Sequence, residues 1–164
     1  MNEEIERAFY YGIQAHKKQY RKISNEFFVI HPIRVWQTVR DNNGTIAMQV
    51  AALLHDVLED TDEPIDSFSS SAQTLVRLLT KENNQSKVDA VNKIISHPYK
   101  QEQKEAMIIK MADRYDNIIT GDEDLIKRFI PSTNLLLQYA LKNELDNLPI
   151  YIKLLSFIEG YNYE

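Results

Sequence analysis

The chain has no cysteine. Disulfides and thiolate metal sites are therefore excluded, and any metal must be held by His, Asp, Glu or carbonyl oxygen. Only 4 Gly and 5 Pro punctuate 164 residues. Such sparse punctuation suits long helices with short connections. No apolar run approaches the roughly 20 residues that span a bilayer, so no membrane partner is expected. Residues 1–7 are acidic and lack the apolar stretch of a secretory signal, so a cytoplasmic protein is expected. Positive charge is also short: the net charge is −5. No basic surface speaks for nucleic acid as a partner. If the chain binds an anion, the attraction must be local, from a metal ion or a small Lys/Arg cluster.

What is present is ordinary for a globular protein: 43% hydrophobic and 26% charged residues. The length favours one domain with a sizeable core, spanning residues 1–164. Ile5, Ala8, Phe9, Gly12, Ile13 and Ala15 follow a helical period, predicting a first helix over residues 2–18. Residues 20–30 read as a loop with a basic start and an aromatic end. A second helix starts near His31-Pro32, where Pro is welcome, and ends at Asn42-Asn43-Gly44. A third follows Thr45, a suitable cap, and carries Ile46, Val50, Leu53, Leu54, Val57 and Leu58. Asp62 to Pro64 breaks the chain. Shorter helices are expected over 71–80 and part of 87–95, and His97-Pro98 marks another break. A long helix over 101–119 is stopped by Gly121, and two more lie near 132–142 and 149–160. No period-2 strand pattern appears. The class is all-α, a bundle of about seven or eight helices.

The strongest local signal is Ala51-Ala52-Leu53-Leu54-His55-Asp56-Val57-Leu58-Glu59-Asp60. It ends an apolar helix in a His-Asp pair, and Glu59 and Asp60 repeat that face one turn later. Burying such groups is expensive, and a bound cation would offset the cost. Alone, a His-Asp pair is more often a helix end with a solvated acidic tail. Two other segments supply compatible ligands. His31 stands at a helix start, and Asp113 lies in Ile108-Ile109-Lys110-Met111-Ala112-Asp113-Arg114-Tyr115-Asp116-Asn117. Asp113, Asn117 and Thr120 share one helical face. His31, His55, Asp56 and Asp113 make a two-nitrogen, two-oxygen metal site. Imidazole suits Mn, Fe, Zn and Ni, and with no sulfur ligand an octahedral Mn²⁺ site completed by water is the first choice. Such an ion lowers the pKa of water and polarises a phosphorus centre. Lys17, Lys18, Arg21, Lys22 and Arg114 could give the local positive field, although Lys17 and Lys18 read as ordinary surface.

At these residues the sequence resembles the HD superfamily, whose pattern is H…HD…D. More closely, it is similar to the hydrolase domain of the RelA/SpoT proteins and to small stand-alone alarmone hydrolases related to metazoan SpoT homologues. The matching pieces are Ala15-His16-Lys17-Lys18-Gln19-Tyr20-Arg21-Lys22, Val29-Ile30-His31-Pro32-Ile33-Arg34-Val35, Ala52-Leu53-Leu54-His55-Asp56-Val57-Leu58-Glu59-Asp60-Thr61 and Lys110-Met111-Ala112-Asp113-Arg114-Tyr115-Asp116-Asn117. The resemblance implies an HD-type helical domain in which His31, His55, Asp56 and Asp113 bind Mn²⁺. Glu59 and Asp60 would position or deprotonate the attacking water. Arg21 and Lys22 would border the guanine base, and Asn117 and Thr120 the ribose and phosphate region. The implied reaction is that of the stringent response: pyrophosphate leaves the 3′ position of (p)ppGpp, giving GDP or GTP. No synthetase domain is expected. Two departures stand out: the loop Tyr20-Arg21-Lys22-Ile23-Ser24-Asn25 is slightly long, and Asp116 replaces a common His.

Two other functions stay open. One is an HD phosphohydrolase acting on another nucleotide, a nucleoside phosphate or NADPH. The other is a metal-binding regulatory or antitoxin-like module without turnover. Tyr139, Tyr151, Phe157, Tyr161 and Leu135 to Leu137 could form a homo-oligomer surface, but core is the favoured role. His16 and His97 read as structural or surface residues.

Overall fold

The structure, a computed structural model, describes residues 2–161. They form eight helices and one single turn: α1 (Glu3–Ala15), α2 (Ile30–Asp41), α3 (Ile46–Leu54), the turn α4 (Val57–Asp60), α5 (Ser70–Leu79), α6 (Lys87–Ile95), α7 (Lys100–Ile119), α8 (Glu123–Lys142) and α9 (Pro149–Tyr161). Extended pairing among the described residues amounts to one isolated antiparallel bridge, Tyr20 with Phe27. The all-α expectation holds. No helix among these residues is long and apolar enough to cross a membrane.

α3 is the centre of one half. Val50, Ala51, Ala52, Leu53 and Leu54 are all buried, and a helix apolar on every side belongs inside. Thr45 starts it by accepting the Met48 N–H at 3.2 Å. Helices α1, α2, α5 and α7 pack around it. Gly12 sets the approach of α1: a Cβ there would stand 3.1 Å from the Leu53 carbonyl oxygen. This close contact backs α3 just before its last residues deliver His55.

The other half is built on α7, with α8 packed against α6 and α7, and α9 against α7 and α8. Ile94, Met107, Ile118, Leu136, Ile150 and Leu154 are fully buried there. Each such side chain stabilises the fold by roughly 1.5–3 kcal/mol relative to exposure. Leu136, Leu137 and Tyr151 are buried, and Leu135, Tyr139 and Phe157 pack against the core, so the apolar C-terminal third serves the interior. Tyr161 stacks beside Phe157. The halves are tied where buried Asn42, at the end of α2, accepts the Ile150 N–H at 3.0 Å.

Three boundaries differ from the sequence reading. The helix after Thr45 stops at Leu54, and Val57 and Leu58, expected on it, lie on the separate turn α4 beyond the bend at His55 and Asp56. α1 ends at Ala15, and Lys17 and Lys18 are exposed beyond it. α8 begins at Glu123, well before Ser132, and runs through Pro131. A proline removes one helical hydrogen bond and usually stops the helix. Here Ser132 and Thr133 hydroxyls both donate to the Phe129 carbonyl, at 3.0 and 2.8 Å, and both are buried. Asp122 supplies a strong start by accepting the Leu125 N–H at 2.8 Å. Gly121 does follow α7, but not as a left-handed cap, since no described glycine has positive φ. A Cβ there would lie 2.7 Å from the Asn117 carbonyl oxygen and 2.8 Å from Leu125. The missing side chain lets the chain turn tightly from α7 into α8.

Candidate active site

Three elements meet at one end of α3. His31 stands in the first turn of α2, His55 and Asp56 in the bend between α3 and α4, and Asp113 on α7. One ligand atom each from His31, His55 and Asp56 lie within 4.8 Å of one another. Asp113 Oδ1 faces the same space, 3.3 Å from His31 Nε2 and 3.8 Å from His55 Nε2. Asp56 Oδ2 is 3.5 Å from His31 Nε2 and 3.2 Å from His55 Nε2. The structure thus brings together all four residues that the sequence singled out.

The opposite ring nitrogens show what this cluster accepts. His31 Nδ1 donates to Asp116 Oδ2 at 2.6 Å, and His55 Nδ1 donates to the Ala52 carbonyl at 2.8 Å. Each ring therefore turns Nε2 inward as a lone-pair donor. His55 Nε2 is buried without a hydrogen-bond partner. Two imidazole lone pairs and two carboxylates facing one space repel each other unless a cation lies among them. The donor set fits a divalent ion. Burial opposes charge on all four groups, yet bonds to Asp113 and Asp116 raise the His31 pKa, and the Asp56 charge raises that of His55 well above the ordinary value. The Asp56 and Asp113 carboxyls are held low, against burial, by His55 and by Lys110 respectively. Lys110 Nζ lies 2.8 Å from Asp113 Oδ2.

The acid pair behaves unequally. Glu59 Oε2 accepts the Lys81 N–H at 3.0 Å, which ties it to the segment after α5. Asp60 makes no such side-chain bond. Burial, then the charges of Asp56 and Glu59, push its carboxyl up to about 6. Its backbone carbonyl accepts from Gln19 Nε2 at 2.9 Å, and Gln19 in turn accepts from His16 Nδ1. His16 is buried against Phe28, a structural role as expected. His97 pairs with Glu102 away from the site.

Glu59 and Asp60 line a cleft of about 200 Å³ together with His31, Asp56 and Asp113. A second lobe of about 420 Å³ opens beside it. Arg21, Phe28 and Asn117 line both. Arg21 Nη2 donates to Asn117 Oδ1 at 2.9 Å and to Thr120 Oγ1 at 3.3 Å. Asn117 Nδ2 donates to Asp113 Oδ1 at 2.5 Å, so the Arg21 loop reaches a candidate ligand through one side chain. Thr120 and exposed Lys22 line only the outer lobe. Lys17 and Lys18 line neither.

Several contributors escape the sequence reading. Asp116 orients His31 and is itself clamped by Arg34, whose Nε donates to Asp116 Oδ1 at 2.5 Å. Arg34 also forks onto Glu26, at 2.9 and 2.6 Å. The spacing of 113, 116, 117 and 120 on one helical face was the available signal for Asp116. Lys110 was signalled by its i, i+3 relation to Asp113. Lys81 and Lys87 enter the cleft wall from separate elements, and no local pattern announces them.

The model of the HD domain family matches residues 28–118, more than half of the chain and the stretch holding all four candidate ligands. The chain belongs to the HD domain family. A guanosine-3′,5′-bis(diphosphate) 3′-pyrophosphohydrolase of Aquifex aeolicus is 28% identical over 170 residues, covering 88% of this chain and 23% of that protein. A probable enzyme of the same name from Mycoplasma genitalium is 34% identical over 132 residues, covering 70% of this chain and 18% of its own length. The chain thus spans less than a quarter of these relatives. A solved structure of a metazoan ortholog of SpoT that hydrolyzes ppGpp superposes with a TM-score of 0.77 at 21% identity. That match covers 98% of this HD protein and 97% of the other chain, and it gives the two a common fold.

Proposed function

We propose that this HD domain is a Mn²⁺-dependent (p)ppGpp 3′-pyrophosphohydrolase, working on its guanine nucleotide alarmone in the cytoplasm. The observation that carries the reading is the inward-facing cluster of His31, His55, Asp56 and Asp113 beside Asp60, in a cleft with a cationic wall. The pyrophosphohydrolase names of the relatives support the choice of substrate.

His31, His55, Asp56 and Asp113 would hold the ion, with Asp116 and the Ala52 carbonyl fixing the two rings. When bound, the ion supplies charge stabilisation at phosphorus and a more acidic water. Asp60, with a carboxyl near 6, is the base that takes the proton of the attacking water. The water oxygen bonds to the inner phosphorus of the 3′-pyrophosphoryl group. The bond from that phosphorus to the ribose 3′ oxygen breaks, the oxygen keeps the electron pair and takes up a proton, and pyrophosphate leaves. Glu59, held by the Lys81 N–H, orients the water beside Asp60. The inner lobe, at about 200 Å³, is smaller than the roughly 300–1,000 Å³ of sites that enclose whole ligands. The phosphates occupy it, and the nucleoside lies in the outer lobe along Arg21, Lys22, Asn117 and Thr120.

The test is pyrophosphate release from ppGpp with and without Mn²⁺. Mn²⁺-dependent formation of GDP and pyrophosphate is expected. No turnover by the metal-loaded protein rejects the alarmone and directs the assay to other nucleotides, NADPH included.

A further inference from the structure

The far wall of the inner lobe carries charge that the folded chain leaves unanswered. Arg114 is 1% exposed, and its Nε and Nη1 find no hydrogen-bond partner. Its guanidinium carbon lies 3.9 Å from the centroid of the Phe129 ring, and Lys87 Nζ lies 4.0 Å from the same centroid. Neither residue is in an ion pair among the described residues, whereas Lys110 is engaged by Asp113 and Lys81 faces Glu59. Burial, then the neighbouring charges of Arg114 and Lys110, lower the Lys87 pKa, as crowded cations do. A buried guanidinium is costly unless paired, and the ring face offsets only part of that cost. All three residues line the lobe that also holds His31, Asp56 and Asp113.

We propose that Lys87 and Arg114, seated on Phe129, form a phosphate subsite for the terminal phosphate of a pyrophosphoryl group whose inner phosphate lies at the His31–His55–Asp56 cluster. This rests on the reading of the cleft as a site for a polyphosphorylated nucleotide. A tetrahedral oxyanion suits the wall because the guanidinium fork and the ammonium present several donors at once. The subsite favours a pyrophosphoryl ester over a monophosphate, because only the former offers a second phosphate to the Lys87–Arg114 wall. It also retains the pyrophosphate product until water replaces it.

The test is calorimetric binding of inorganic pyrophosphate to the full chain in EDTA, so that no metal contributes. Micromolar to low-millimolar binding is expected in the wild type, at least tenfold weaker in Lys87→Met. Methionine keeps an apolar stem on Phe129, and an unchanged melting temperature shows that the variant is folded. Arg114→Lys, which keeps the charge but loses the fork, should weaken binding as well. Equal affinity in wild type and Lys87→Met overturns the subsite, as does a wild type that binds no pyrophosphate. The alarmone reading fails separately. Lys87-dependent pyrophosphate binding without ppGpp turnover in Mn²⁺ keeps the subsite and assigns it to another pyrophosphoryl compound. Turnover of ppGpp together with Lys87-independent binding keeps the alarmone and removes the subsite.

Discussion

The two ends of the inner lobe are unsatisfied in opposite senses. At one end, imidazole lone pairs and carboxylates converge, and each ring is fixed from behind by Asp116 or the Ala52 carbonyl. At the other, Lys87 and Arg114 crowd one aromatic face, and no carboxylate is in an ion pair with either among the described residues, although the Asp113 charge acts on both. The donors of the first suit a cation and those of the second an anion. A protein of net charge −5 thereby carries a steep local gradient across a cavity of about 200 Å³. The contrast teaches that overall charge says little about a site. It also separates the two kinds of support: the acidic end is held by hydrogen bonds from behind, the basic end by ring stacking.

Substitutions can break this contrast one end at a time. Asp56→Ala should have the largest effect, removing a ligand that faces both imidazoles; metal analysis after dialysis should find no bound ion, and ppGpp turnover should vanish. Asp60→Asn should keep the ion and slow turnover by about 10²–10⁴-fold, as when a general base is lost. Its pH profile sharpens the point. A base works when deprotonated, so wild-type kcat/KM should fall towards acid pH as Asp60 takes up a proton, at a midpoint below the metal-free value of about 6 because a cation on Asp56 favours the carboxylate, and Asp60→Asn should lack that limb. Glu59→Gln should lose less than Asp60→Asn, because its carboxylate already serves the Lys81 N–H; equal losses would make the two carboxylates one unit. Asp116→Asn should weaken Mn²⁺ binding by about 10–100-fold in calorimetry, the usual range for a residue behind a ligand. Arg21→Ala, on the wall shared by the two lobes, should raise KM by roughly tenfold and change kcat less, the mark of lost uniform binding.

The acidic end was legible in the sequence, and the basic end only in Arg114. His31, His55, Asp56 and Asp113 stand out because such side chains interrupt apolar helical segments, where their cost needs a reason. Lys87, Arg114 and Phe129 come from α6, α7 and α8, and only packing makes them neighbours. The sequence names Arg114 as one source of a local positive field, but nothing in it shows that this side chain is among the largest fully buried ones. The helices behave similarly. α6, α7 and α9 follow from their apolar period and their flanking breaks. The first part of α8 was hidden by Pro131, because a residue-level rule cannot see the burial of Phe129, Ser132, Thr133, Leu136 and Leu137 that holds the helix on both sides of it. Asp116 was visible as a departure on the helical face of Asp113 and Asn117, but its role was not, since that depends on His31 and Arg34 arriving from α2.

The bond between His31 and Asp116 joins residues 85 positions apart. Helix segments equilibrate within about a microsecond, but a pairing at that separation must also bear the entropy of closing a long loop. The acidic end is therefore expected to assemble late, as are the other long-range pairings such as Asn42 with Ile150. An ion gripped there strengthens contacts that the folding transition state has not yet made. Such contacts leave the folding rate nearly unchanged and slow unfolding instead. The metal would then set how long each molecule stays folded, not how quickly it first becomes so.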